Sequence, residues 1–462
     1  MISSAEIQEF AAELGLQPRI IEKDYVLGWL LAGIYQHPVL SQSWLFKGGT
    51  CLKKCFFETY RFSEDLDFTL TDAAHLDEAF LHEHLGQVCG WIYETSGIEM
   101  PLTNLRFDRY QNRRGQYCVQ GRISYRGPFR PGGDLPRVKL DLTADELVVG
   151  RPQVRDVFHP YSDCPEGGIR SLCYSFEELV AEKMRALVQR LRPRDLYDVV
   201  NLYRRNDMPA DRDVVFSILS EKCDFVAIPI PTFAVLDQMS EKAELAQEWS
   251  NMLAHQLPFL PPFEQFWAEL PNIFAWLHGA IRPAPVSIPL VEAVDTTWRP
   301  PAAARPWGAP VPLEIIRFAA ANHLCVDLKY QGTWRLIEPY SLYRSSEDNL
   351  VLRAVKHQTG EPRSYRIDRI EGARATETSF SPRYAIELTP SGPLTVTAST
   401  AGYHPRSLRP PPGLFHEPRY IIECPVCRKR FTRKLYDLTL REHKDQNGVP
   451  CWERSAVFIE KR

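Results

Sequence analysis

The sequence predicts a multidomain α+β protein, and three observations carry that expectation. A chain of 462 residues is longer than one hydrophobic core organises. Val138, Leu140 and Leu142 alternate with Lys139 and Asp141 as a strand with one buried face does, whereas residues 175–178 open a helical pattern. Two proline-rich breaks, at residues 282–312 and 401–415, read as semi-stiff linkers. They divide the chain into a first domain at 1–281, a β-rich domain at 313–400 and a final module at 416–462.

The first domain is read element by element. Ser4 is the expected cap of a helix whose apolar face is Ile7, Phe10, Ala11 and Leu14 and which Gly15 stops. A second helix carries Ile21, Tyr25, Trp29 and Leu30. Strands are expected at residues 44–47, 66–70, 117–125 and 138–142. Then the pattern turns helical. Ser175 and Glu178 fit a capping box, with Glu178 reaching back, and the helix runs through Lys183 to about Arg190. Pro193 interrupts, residues 195–203 read as the next helix, and 240–280 closes the domain.

Composition excludes several classes. Net charge of −3 rules out a globally basic nucleic-acid coat, though not a local basic groove. The first six residues lack a basic region followed by an apolar core, and no window approaches about 18 uninterrupted apolar residues, so neither a secretory signal nor a membrane span is expected. The 11 cysteines are odd in number and mostly scattered singly, as in reduced cytosolic protein. The expected location is cytoplasmic.

The chemistry-bearing segment is Phe46-Lys47-Gly48-Gly49-Thr50, followed by Arg61-Phe62-Ser63-Glu64-Asp65-Leu66-Asp67-Phe68. Gly48 and Gly49 leave a turn without Cβ atoms, so that backbone N–H groups and the Thr50 hydroxyl can approach phosphate oxygens. Alternation puts Asp65 and Asp67 on one face of a strand, and Asp141 on another strand would complete a carboxylate set. Such a set suits magnesium (or manganese) shared with the phosphates of an NTP, with Asp141 as a third ligand or a general base. Lys47 and Arg61 read equally as phosphate contacts or as solvated cations.

Together, segments 47–50, 61–68, 138–142, 178–187 and 194–198 resemble the AbiEii/AbiGii toxin family of nucleotidyltransferases, over roughly residues 1–280. The resemblance implies a polymerase-β-like fold, a mixed sheet followed by a helical half. It implies Lys183 as a triphosphate contact, with Asp195 and Asp198 facing the cleft and Asp198 positioning Lys183 or the acceptor. A surface ion-pair ladder of Glu178, Glu182 and Arg185 around Lys183 is the competing structural reading. Glu22-Lys23-Asp24-Tyr25 also fits the family pattern, in a structural role. The implied partner is an antitoxin, and the implied acceptor is RNA, tRNA first, with protein nucleotidylation as an alternative.

Residues 335–342, 350–352 and 362–370 look like a WYL domain, a small Sm-like β-barrel that in bacterial regulators senses ligands, often nucleic acid or nucleotides. The Trp-Tyr-Leu signature itself is not present in that form. Arg353, Arg363, Arg366 and Arg369, with Tyr343 and Tyr365, could track a DNA or RNA backbone or form a solvated barrel face. In the last module, Cys424-Pro425-Val426-Cys427 with His443 and Cys451 supplies four ligands at the spacing of a closed structural zinc site, and resembles a zinc ribbon. A module this short needs such a staple. The cationic run Arg428-Lys429-Arg430-Phe431-Thr432-Arg433-Lys434 suits phosphate-backbone contact. The reading from another class is a nucleic-acid-binding regulator that uses the transferase domain as a scaffold.

Overall fold

The computed structural model describes residues 1–58, 60–129, 132–282, 286–289, 313–345, 349–388, 397–398, 420–433, 440, 442–444, 448, 450–451 and 455–461. Apart from 282 and 286–289, both proline-rich linkers lie outside the described residues. Two compact units emerge, Met1–Ser399 and Thr400–Arg462.

The first unit is built on a seven-stranded mixed sheet. Its strands are β1 (Trp44–Lys47), β2 (Asp65–Leu70), β3 (Arg106–Gln111), β4 (Tyr117–Ser124), β5 (Arg137–Thr143), β6 (Gln153–Val157) and β7 (Ile169–Cys173). They lie in the order β3-β4-β5-β2-β1-β7-β6. The β2–β5 and β1–β7 pairs are parallel and the rest antiparallel. All four expected strands form. In β5, Val138, Leu140 and Leu142 are buried and Lys139 and Asp141 face away, as the alternation requires. Strands β3, β6 and β7 were not anticipated. The first two lie at the ends of the sheet and bury little, and β7 joins the sheet between β6 and β1, the latter across a long stretch of chain.

Helices α1 (Ser4–Leu14), α2 (Pro18–Gln36), α3 (Leu40–Ser43), α4 (Gly48–Cys51) and α5 (Glu78–Ser96) accompany the sheet. The helical half holds α6 (Phe176–Arg190), α7 (Pro193–Arg204), α8 (Arg212–Phe225), α9 (Phe233–Asp237), α10 (Lys242–Leu253) and α11 (Phe263–Leu277). The cap of α1 is Ser3 rather than Ser4. Ser3 has extended backbone and accepts from the Glu6 amide at 3.2 Å, whereas Ser4 is already helical. Gly15 ends the helix in the left-handed region, as expected. Ser175 caps α6 by accepting from the Glu178 amide at 3.2 Å. The capping box is only half made, because the Glu178 carboxylate pairs with Lys222 at 2.6 Å and accepts from the Gly150 amide at 2.5 Å. Pro193 starts α7, where its missing N–H has no helical partner to lose.

Helix α12 (Leu313–Ala321) packs on β8 (Leu324–Tyr330), β9 (Thr333–Arg344) and β12 (Ile370–Ser379). With β10 (Leu350–Lys356) and β11 (Pro362–Arg366), these strands run β11-β10-β9-β8-β12, and β13 (Thr397–Ala398) adds to β9 in parallel. Among the described residues this path stays open, with β11 and β12 at its ends, rather than closing into a barrel. Its core merges with that of the transferase sheet: Phe318, Leu324 and Val326 belong to the same buried cluster as Phe46 and Leu66. A polar latch reinforces the junction. Glu269 of α11 lies 3.6 Å from His323 and is ion-paired to Arg204, while Gln265 donates to the Asn322 carbonyl at 3.0 Å.

The expected nucleic-acid face of this sheet is not an open stripe. Arg353 is buried over the Tyr343 ring at 4.1 Å, and Arg369 is buried too. Arg363 pairs with Glu361 at 2.9 Å and Arg366 with Asp368 at 2.8 Å. Acidic neighbours two residues away neutralise the latter two.

The second unit contains β14 (Tyr420–Glu423), β15 (Arg430–Arg433), β16 (His443–Lys444), β17 (Pro450–Cys451) and β18 (Val457–Lys461). β14 pairs with β15 and β18, and β16 with β17.

Candidate active site

Strand register aligns the candidate residues. Lys47 of β1 is opposite Asp67 of β2, Asp67 is opposite Asp141 of β5, and Asp141 is opposite Gln120 of β4. Residues directly opposite on adjacent strands project to the same face. The result is a row of cation, carboxylate, carboxylate and amide across four strands. Gln120 donates to Asp141 Oδ1 at 3.3 Å and accepts from Arg122 at 3.1 Å. Asp65 stands one pleat along in the same orientation, opposite Lys139. Gln120 was missed at the sequence level, since a glutamine midway along a strand carries no motif, and only the register places it beside an aspartate.

The glycine turn abuts this row. Gly48 has φ of +81°, and a Cβ there would lie 2.0 Å from Asp67 Oδ2. A Cβ on Gly49 would lie 2.5 Å from an Arg61 terminal nitrogen. Both glycines are therefore required by close approach. Thr50 behaves differently from expectation: it is buried, and its hydroxyl donates to the Asp65 carbonyl, so it pins the turn to β2 rather than presenting the hydroxyl to a phosphate.

The electrostatics follow from burial. Burial, and then the neighbouring Asp141, push Asp67 up to about 6. Burial likewise raises Asp65. Lys47 is buried, which works against its charge, but Glu182 and Glu146, each 3.5 Å away, outweigh this and hold it protonated. Two adjacent carboxylates competing for charge in a partly desolvated row form a hard-oxygen donor set that a divalent cation would satisfy. The three aspartates are not drawn as tightly together as the C-terminal ligands below.

Beneath the row lies a closed ionic brace. Arg61 holds Asp198 through two bonds of 2.7 Å, Tyr60 donates to Asp198 Oδ1 at 2.6 Å, and Lys183 reaches Asp198 at 2.7 Å and Asp195 at 3.6 Å. Arg190 also grips Asp195 at 2.6 Å. Asp195 and Asp198 are wholly buried, so neither opens onto a cleft; α7 turns them inward against Lys183, Arg190 and Arg61. Asp198 pays for its burial with these cations, which hold it well below the usual carboxylate range. Arg61 is neither solvated nor free for phosphate. The surface ladder is absent: Glu178 pairs with Lys222, and Arg185 with Glu146 at 3.2 Å. Residues 22–25 are structural, with Lys23 on Glu64 at 2.7 Å, Asp24 on Lys54 at 2.6 Å and Tyr25 on Asp163 at 2.6 Å.

In the second unit, Cys424, Cys427, His443 and Cys451 converge, every ligand atom within 4.8 Å of the others. Cys427 Sγ is 3.3 Å from His443 Nε2, and Cys424 Sγ is 3.8 Å from Cys451 Sγ. The β16–β17 pair places His443 opposite Cys451, and the turn after Cys424 closes with the Arg428 amide on the Cys424 carbonyl at 2.9 Å. Three sulfurs and one imidazole make a donor set that can hold a metal ion.

The family comparison makes the chain a nucleotidyltransferase. Residues 29–269 match the family model described as nucleotidyl transferase AbiEii toxin, type IV TA system, and the chain belongs to that family. Residues 312–375 match the WYL domain. Among solved structures, the chain is similar to MenT4, a nucleotidyltransferase toxin from Mycobacterium tuberculosis, with 20% identity and a TM-score of 0.42 over 61% of this chain and 91% of that one. It is also similar to JHP933 from Helicobacter pylori, with 16% identity and a TM-score of 0.38 over 57% and 93%. Comparison with curated proteins returns no match. Among the described residues, no helix is long and apolar enough to cross a membrane.

Proposed function

We propose that the chain is a metal-dependent nucleotidyltransferase toxin that moves a nucleoside monophosphate from an NTP to an RNA acceptor, tRNA first, in the cytoplasm and under the control of an antitoxin. The observation that carries this reading is the in-register pair Asp67 and Asp141, flanked by buried Lys47 and overlaid by Gly48. Asp65, Asp67 and Asp141 would hold magnesium or manganese, which when bound neutralises the triphosphate and favours ionisation of the attacking hydroxyl. Gly48 and Gly49 let the turn close onto Asp67 and Arg61, and the backbone N–H groups of the turn would meet the phosphates. Lys47 supplies a fixed positive charge next to Asp67. Lys183, held by Asp198, lends its field to the same carboxylate. The acceptor oxygen bonds to the α-phosphorus, the bond to the β-phosphate oxygen breaks, and pyrophosphate leaves. Asp141 completes the carboxylate set or takes the hydroxyl proton.

In the second unit, Cys424, Cys427, His443 and Cys451 would hold a structural zinc ion, since a closed set of three thiolates and one imidazole suits tetrahedral zinc. The exposed Arg428 and Arg430 beside it offer contact to a phosphate backbone, although each also pairs with Glu423.

The test is incubation of the purified chain with each α-labelled NTP, magnesium and total bacterial RNA, beside Asp67→Ala. Label in a tRNA-sized band that Asp67→Ala abolishes, with an unchanged melting temperature, is the expected result. Label on protein alone would replace the RNA acceptor with a protein. No label on either would remove the transferase reading of this site.

A further inference from the structure

Beneath the glycine turn lies a cluster that the transfer chemistry does not use. Cys51, Cys55 and Cys173 are buried, and their three sulfurs lie within 4.8 Å of one another. The backbone brings them together deliberately. Cys51 directly follows Thr50 at the end of α4, and Cys55 sits four residues on, in a π-helical turn spanning Leu52–Phe56. Residues four apart share a helix face. Cys173 ends β7 and is opposite Phe46 of β1, the strand that runs directly into Lys47 and Gly48. The three thiols thus join the helical stretch after the glycine turn to the strand that pairs in parallel with β1.

We propose that Cys51, Cys55 and Cys173 form a second metal site, for a thiophilic d10 cation, which clamps the glycine turn to β7. The donor set selects for softness: three sulfurs favour monovalent copper or zinc over magnesium. A fourth donor for zinc is at hand, since the Ser171 hydroxyl lies 3.3 Å from the Cys55 sulfur. Three thiolates around such an ion keep a net negative charge, and Arg155 offsets it. Its Nε donates to the Cys55 carbonyl at 3.0 Å, and its guanidinium is held over the Phe56 ring at 4.3 Å. Cys55 and Arg155 line a cleft of about 690 Å³, which brings solvent up to one edge of the cluster. Binding forms metal–sulfur bonds and releases the thiol protons to solvent, with no change of oxidation state.

The experiment separates this site from the C-terminal one. The full chain, Cys424→Ala/Cys427→Ala, and the latter combined with Cys173→Ala are each loaded with zinc, or with copper(I) under reducing anaerobic conditions. Bound ions are counted by native mass spectrometry and elemental analysis. Zinc is loaded with magnesium in excess, so that the aspartate row does not take it up, and the expected zinc counts are two, one and none. Copper(I) retained by the double variant, and lost with Cys173→Ala, would assign the cluster to the monovalent ion. A double variant that retains neither ion overturns the proposal. Should Cys173→Ala fail to fold, amide exchange in the double variant decides alone: exchange at residues 48–55 slows on loading if the clamp exists, and an unchanged rate overturns it.

Discussion

Gly48 and Asp67 constrain each other before any substrate arrives. With the backbone at φ of +81° and the carboxylate oxygen 2.0 Å from where a Cβ would lie, Gly48→Ala must strain the turn by roughly 1–2 kcal/mol and push Asp67 aside. Displacements of this kind cost about 100-fold in rate. Gly48→Ala is therefore expected to lose most transfer activity while melting close to the parent, as single-turnover kinetics beside calorimetry would show. Asp198 is the opposite case. It touches no proposed substrate position, yet Arg61 and Lys183 both depend on it. Asp198→Asn leaves two buried cations short of their counterion and should destabilise the chain by about 3–5 kcal/mol in denaturant titration. Equal stability in parent and variant would contradict the brace. The turn at Gly48 and the strand positions of Asp65, Asp67 and Asp141 were legible in the sequence because spacing and alternation are local properties. The inward turn of Thr50 and the burial of Arg61 were not, since each depends on a partner 15 to 137 residues away.

At the scale of elements, caps and alternation were again readable, and long-range pairings were not. Ser175 announced α6, but nothing near Glu178 revealed that Lys222 of α8 would take its carboxylate. The junction of α11 with the residues after α12 was hidden for the same reason, and it carries a pH dependence. Burial, and then Arg204, push His323 down to about 4. Its folded value lies below its ordinary 6.5, so the folded state resists its protonation. This contribution is complete above pH 6.5 and is lost as pH falls toward 4, at most about 3 kcal/mol. His323 has φ of +54°, which asparagine tolerates. The melting temperature of His323→Asn should therefore fall less steeply between pH 6.5 and 4 than that of the parent. Parallel slopes would remove His323 as the cause.

At the scale of the whole molecule, linkers and composition predicted separate bodies. The β-rich segment after residue 312 shares its core with the transferase sheet, whereas residues from Thr400 onward form a unit of their own. Stripping metal with a strong chelator is expected to melt the second unit, with its small core around Ile422, Cys424 and Leu440, while the first unit, with its large apolar core, stays folded. Amide exchange resolved by segment would check this, and protection retained across residues 420–461 after chelation would count against a metal-dependent fold.

The row across the sheet also sets a schedule. Lys47 and Asp67 leave the ribosome early, but their neighbours in the row arrive with residues 120 and 141, the strand beside β1 with residue 173, and the brace with residue 198. At roughly 5–20 residues per second, about 10–40 seconds of translation separate the start of synthesis from the last of these. Through that interval the nascent chain carries the glycine turn without the surroundings that give it chemistry. On the proposed reading of the row, the chain cannot transfer a nucleotide until residue 198 has been added.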